Sequence, residues 1–152
     1  MKICSCLQEV DIIAEMAAAG KETALSELAA RVAERHPGFD RGELVAVLLE
    51  RERLGSTGIG DGVAIPHGKL RGIKEQVMVF GRSRPGVDFQ SLDGRPAHLF
   101  FLLIAPEENI GGHLKMLARI SRILKDPAVR RHLLDAPDAA AIHAIIRQQD
   151  SQ

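Results

Sequence analysis

The sequence contains no tryptophan and no tyrosine, and only five phenylalanines in 152 residues. A protein that grips single-stranded nucleic acid by stacking bases on aromatic platforms is therefore excluded, and the core must be built from Leu, Ile, Val and Ala. There is no excess of either charge: 20 Lys plus Arg balance 20 Asp plus Glu, so no global field holds nucleic acid or an anionic membrane. The longest unbroken apolar run is Leu99 to Ala105, seven residues, far short of the roughly 20 that span a bilayer. Asp11 and Glu15 follow Lys2 too soon for a secretory leader. Cys4 and Cys6 stand one residue apart with no distant partner, which is poor geometry for a disulfide and not a zinc pattern. They read as two reduced thiols beside a mobile terminus, in a cytoplasmic protein.

What is present is ordinary globular usage, 45% hydrophobic and 26% charged residues, at a length that predicts one domain over residues 1–152. Val10 to Met16 reads as either strand or helix, ended by Gly20. Lys21 to Arg35 carries Leu25, Leu28, Ala29 and Val32 at helical spacing and stops at His36-Pro37-Gly38. Asp40 stands three residues before Glu43, a capping-box pattern, and starts a second helix with Leu44, Val47 and Leu48 inward and Arg51 to Arg53 in its last turn. Gln76 to Arg82 predicts a strand, and Leu99 to Ala105 a central strand buried on both faces. Pro85-Gly86 and Asp93-Gly94 predict two turns bracketing a short edge segment around Val87 to Phe89. Leu114, Leu117, Ala118, Ser121 and Leu124 predict the inward stripe of a third helix. Asp126-Pro127 and Ala136-Pro137-Asp138 open two more, the last with Ile142, Ile145 and Ile146 inward. Strands enclosed by helices define an α/β layered fold.

The chemistry concentrates between Gly55 and Gly68, where five glycines interrupt a short apolar stretch. A Walker A loop ending at Gly68-Lys69 and a dinucleotide fingerprint starting at Gly58 both need a small residue at position 63, which is Val63. No H-E-x-x-H, finger spacing or G-x-S-x-G is present. What remains is one imidazole, His67, framed by Pro66 and Gly68 in a loop. Neutral imidazole nitrogen is an available nucleophile near pH 7.

The stretch from Arg51-Glu52 through Gly55-Ser56-Thr57-Gly58-Ile59-Gly60 to Gly62-Val63-Ala64-Ile65-Pro66-His67-Gly68 resembles the active-site signature of the EIIA proteins of the bacterial phosphotransferase system. The likeness is to the fructose/mannitol family and, within it, the nitrogen-regulatory branch. His113-Leu114-Lys115 with Leu117-Ala118 and Ile120-Ser121 is similar to that family's second-histidine helix, and the resemblance runs from about Leu7 to Ile146. It implies a mixed central β-sheet flanked by helices on both sides. It also implies a phosphocarrier, in which His67 takes a phosphoryl group through Nε2 from the phosphohistidine of an HPr-type donor. In that scheme His113 supports the phosphoryl site, and Arg51, Ser56 and Thr57 belong to it as phosphate-binding groups. Transfer between two histidines exchanges one P–N bond for another, so neither metal nor any other cofactor is expected. A guanidinium and hydroxyls suit the work, since phosphoryl transfer needs positioning and donors to the equatorial oxygens.

Three alternatives accompany this expectation. The protein passes phosphate to an EIIB in sugar transport. Or it is a regulatory module whose docking to a kinase, transporter or sensor is switched by phosphorylation, a reading favoured by the absence of attached EIIB or EIIC sequence. Or His67 and His113 hold a metal, which lacks a third ligand at suitable spacing. Asp61 is expected to face solvent in a turn, and His36, His98, His132 and His143 carry no motif. Lys69, Arg71, Lys74, Arg82 and Arg84 form a basic stretch expected to be a solvated face.

Overall fold

The computed structural model describes residues 2–151. After 3-10 turns at Ile3–Ser5 and Glu9–Asp11, the chain runs β1 (Ile12–Ile13), α1 (Lys21–Arg35), α2 (Arg41–Glu52), β2 (Gly58–Gly60), β3 (Val63–Ala64), β4 (His67–Leu70), β5 (Val77–Val87), β6 (Ala97–Pro106), α3 (Ile110–Leu124), α4 (Pro127–Asp135) and α5 (Ala139–Asp150). The sheet is mixed, in the order β1-β5-β6-β3-β2, with β4 also paired to β6. β5 and β6 are antiparallel, while β3 and β4 follow one another along the other edge of β6, both parallel to it. The expected layered α/β fold, with helices on both faces, is what forms.

The two faces follow from the period of two along β5 and β6. Met78, Phe80, Leu99, Phe101 and Leu103 pack against Met116 and Ile120 of α3, Leu133 of α4 and Ile142 and Ile146 of α5. The alternate residues Val77, Val79, Phe100, Leu102 and Ile104 pack against α1 and α2 through Leu25, Leu28, Leu44 and Leu48. The few phenylalanines are placed in pairs, Phe80 edge-on to Phe101 at 4.9 Å and Phe89 edge-on to Phe100 at 5.5 Å. Close helix-to-sheet approach requires the absence of a side chain at Gly68, where a Cβ would lie 2.6 Å from Val47 Cγ1.

Several expectations are corrected. Val10 to Met16, open between strand and helix, takes the strand alternative over Ile12–Ile13 alone, preceded by a 3-10 turn in which Asp11 accepts from Gln8 N and Arg35 Nε. Pro85-Gly86 does not end β5. The strand continues to Val87, and the extra residues between Arg82 and Val87 are absorbed as a register shift against Leu99 and Ala97. The edge segment expected around Val87 to Phe89 is reduced to the end of β5 and an isolated parallel bridge of Asp88 with Gly20, and His98 lies inside β6 rather than before it. Arg82 is not solvated. It is fully buried, its guanidinium donating to the carbonyls of Ala14, Leu133 and Ala136, and it thereby finishes the C-terminal end of α4. The N-terminal segment is latched rather than loose: Asp150 accepts from Ile3 N and Cys4 N at 3.0 Å and from Arg119 Nε at 2.7 Å. Burial alone would raise the Asp150 carboxyl, but those bonds hold it below its usual value. Both cysteines are free.

The helix α3 is turned differently from expectation. Its inward residues are His113, Met116, Ile120, Ile123 and Leu124, while Leu114 is 59% exposed and Ala118 and Ser121 face outward. Two apolar lines run along this helix at helical spacing, and the line with the larger side chains is the one the core takes. No helix among the described residues is long and apolar enough to cross a membrane.

Candidate functional site

The last turn of α2 supplies Arg51. Asp40 caps the first turn by accepting from Glu43 N at 2.8 Å, and after Arg53 the chain turns through Gly55, whose φ of +141° suits only glycine. The neighbouring side chains Arg51 and Glu52 diverge. Arg51 reaches toward β4, donating through Nη1 to Gly55 O at 3.0 Å. Glu52 is buried, paired with Lys21 Nζ at 2.8 Å and accepting from Thr57 N at 3.1 Å and from the Thr57 hydroxyl. This network ties α1 and the end of α2 to the glycine-rich segment that leads into β2.

His67 is the first residue of β4, opposite Leu103 of β6, and Leu103 N bonds the carbonyl of the preceding Pro66 at 2.9 Å. Its Nδ1 lies 2.8 Å from Ile65 O. A carbonyl only accepts, so Nδ1 carries the proton and Nε2 carries the lone pair. Arg51 Nε donates to that Nε2 at 3.3 Å. Burial pushes the His67 pKa below 6.5 and the Arg51 cation adds to this, against an opposing pull from the Ile65 carbonyl. The ring is therefore neutral at pH 7, with its nucleophilic nitrogen fixed by geometry.

His113 follows Ile110, Gly111 and Gly112 in the first turn of α3, where Asn109 caps the helix through Gly112 N at 3.0 Å. Its ring centroid lies 5.4 Å from that of His67, tilted by 54°. The residue is 4% exposed, and its Nδ1 has no hydrogen-bond partner among the described residues. Burial, then His67 and the Lys69 cation, lower its pKa to about 4. Both rings open onto a concavity of about 490 Å³, shared with Arg51, Lys69, Leu54 and Leu114.

Of the five residues singled out from the sequence, the structure thus brings three together: His67, His113 and Arg51. Ser56 and Thr57 do not line the concavity. The Ser56 hydroxyl accepts from Gly58 N and lies 3.5 Å from Phe89 O, and the Thr57 hydroxyl is buried on Glu52. Both shape the loop rather than face the histidines. Asp61 is exposed, at φ +56°, as expected of a turn residue. Sequence reasoning missed Lys21, Glu52, Lys69 and the Ile65 carbonyl. Lys69 was legible, since it follows His67 by two along a strand and so shares its face. The partners of Glu52 come from another helix and a later loop, and nothing local announces them.

Comparison with known proteins identifies the family to which this fold belongs. Residues 5–149 match the family model described as phosphoenolpyruvate-dependent sugar phosphotransferase system, EIIA 2. A nitrogen regulatory protein of Bradyrhizobium diazoefficiens is 46% identical over 126 residues, covering 83% of this chain and 82% of that protein. The fructose-specific EIIABC component of Bacillus subtilis is 39% identical over 150 residues, which is 99% of this chain but 24% of that protein. The crystal structure of nitrogen regulatory protein IIA-Ntr from Neisseria meningitidis superposes with a TM-score of 0.89 at 33% identity, covering 95% of this chain and 98% of that one. The layered α/β fold described above is that of a phosphotransferase-system IIA component. The chain belongs to the EIIA 2 family of that system.

Proposed function

We propose that the protein is a phosphocarrier domain that accepts a phosphoryl group on His67 Nε2 from the phosphohistidine of an HPr-type protein, and that its output is regulatory, of the nitrogen type. The observation that carries this reading is the pair of contacts on one ring: Nδ1–H on Ile65 O, and Nε2 bare except for the Arg51 Nε–H.

In the transfer, the Nε2 lone pair forms the new P–N bond as the donor's P–N bond breaks, and the donor ring leaves as neutral imidazole. His67 keeps its Nδ1 proton, and the positive charge the ring takes on faces the Ile65 carbonyl. No proton has to be removed, so the step calls for no general base, no metal and no ATP. Arg51 leaves Nε2 and turns its N–H groups to the phosphoryl oxygens, where charge-assisted bonds are strongest. Lys69 adds a second cation at the rim. Neutral His113 offers one N–H from within the wall. Exposed Leu54 and Leu114, 81% and 59% accessible, give the donor an apolar rim to cover.

The nitrogen-type role is argued from the likeness to the nitrogen regulatory proteins named above, and with it goes our reading that the protein meets its donor in the cytoplasm. The fructose-specific relative keeps transfer to an EIIB as the second reading. Incubation with phosphorylated HPr-type proteins, followed by mass-spectrometric mapping, is expected to show one acid-labile phosphate on His67, lost in His67→Ala. Unchanged labelling of that variant removes the proposal. Rapid onward transfer to an EIIB favours sugar transport, whereas partner binding that differs between the two phosphorylation states favours regulation.

A further inference from the structure

Ala118 and Ser121 of α3 face outward. Toward the C-terminal end of the helix its small side chains, Ala118 and Ser121, leave a second concavity of about 510 Å³ against the loop Ile59-Gly60-Asp61. Its floor is apolar, and Ile59 stands 48% exposed beside it. Its rim carries three cations, Arg122, Lys125 and Arg130, against one carboxylate, Asp61. Arg122 and Lys125 make no ion pair among the described residues, and Arg130 bonds through Nη1 to the carbonyls of Leu124 and Lys125 rather than to an acid. On a chain with equal numbers of cations and anions, this is a local excess that the phosphoryl chemistry does not use. Lys125 lies about 18 Å along the helix axis from His113, beyond the roughly 8 Å over which exposed charges act at physiological salt.

We infer that this groove docks an acidic segment of a partner protein, which lays an apolar side chain against Ile59 and Ala118 and sets carboxylates on Arg122 and Lys125. The geometry favours a peptide over a small anion, because the aliphatic floor formed by Ile59, Val63 and Ala118 is surface that a small anion would leave uncovered. It favours a peptide over nucleic acid, because the floor is aliphatic, with no aromatic face on which a base could stack. Phosphate on His67 lies too far away to repel the segment strongly, so docking here is nearly independent of the phosphorylation state.

The test uses the whole protein. A random-peptide phage library is selected on it, and enriched peptides are mapped by amide NMR shifts. Acidic peptides carrying an apolar residue are expected to enrich, to shift residues 59–61 and 118–125, and to weaken as salt rises. Binding should fall about tenfold or more in the Arg122→Glu/Lys125→Glu variant, which reverses the complementarity, and in Ala118→Trp, which fills the groove. His67 labelling by the donor should be unchanged in both variants, so loss of docking is separable from misfolding and from any failure of the phosphocarrier reading. The proposal is overturned if nothing enriches, if the peptides are neutral or basic, if they map to the His67 concavity, or if the charge-reversed protein binds them equally. It is also overturned if only an RNA oligomer or inorganic phosphate shifts the groove residues.

Discussion

Acidification should unfold this protein partly through one side chain. His113 is 4% exposed with a pKa of about 4, against 6.5 for a solvated imidazole. Between those two pH values the unfolded chain binds a proton that the folded chain refuses, so stability falls as pH falls. Fully realised, the loss is about 1.4 kcal/mol at pH 5.5 and about 3 kcal/mol at pH 4. One edge of the ring borders the open concavity, so water screening reduces the expected loss to about half of these figures. His113→Gln keeps the volume and the polar character but cannot titrate. Urea unfolding of both proteins at pH 7, 5.5 and 4 should show the wild-type advantage shrinking by about 1.5 kcal/mol from the first to the last. Parallel pH curves, or an NMR titration of His113 centred near 6.5, would refute the argument that burial keeps this ring neutral.

Three further outcomes are expected. Arg51→Ala should slow phosphorylation of His67 about 10- to 100-fold, the worth of a charge-assisted hydrogen bond. It should also raise the His67 pKa, because a cation that opposes the imidazolium is gone; a titration that does not move upward contradicts the contact. Arg82→Met should cost about 3–5 kcal/mol in chemical denaturation, since it leaves the carbonyls of Leu133, Ala136 and Ala14 unsatisfied beside a buried site; a loss under about 1 kcal/mol would show that water takes over the capping. Gly68→Ala should lower stability by about 1–3 kcal/mol through its clash with Val47. Because Val47 lies one turn before Arg51 on α2, it should slow His67 labelling as well; an unchanged melting temperature would show that α2 yields freely.

Much of the fold was legible because strong periodicity and capping chemistry coincide. Lys21–Arg35 begins and ends where Gly20 and His36-Pro37 say it should, and Asp40, Asp126 and Asp138 each cap the helix they precede. The failures share a cause: long-range partners outvoted local signals. Pro85-Gly86 reads as a turn, yet pairing of Val87 with Ala97 across the sheet keeps the strand going and leaves the glycine at φ +95° inside a bulge. The apolar line of α3 was ambiguous because two lines exist, and only packing against Phe101 and Leu103 decides between them.

The same division governs the site. Residue types in the Arg51 to Gly68 stretch point to the chemistry, but which imidazole nitrogen is left with the lone pair is not a property of residue type. It is decided by a backbone carbonyl two positions before the ring, held where it can accept because β3 and β4 follow one another along β6 with Pro66 between them. Pro66 donates no backbone hydrogen bond, and its carbonyl binds Leu103 N instead, so the short segment turns the Ile65 carbonyl toward the ring that follows. A ring with its tautomer preset need not reorganise when a phosphoryl group arrives. In the proposed transfer only Arg51 has to move, from the nitrogen it rests on to the oxygens it would hold, and the cation that adds to burial in depressing the ring's pKa is the same one that would receive the charge.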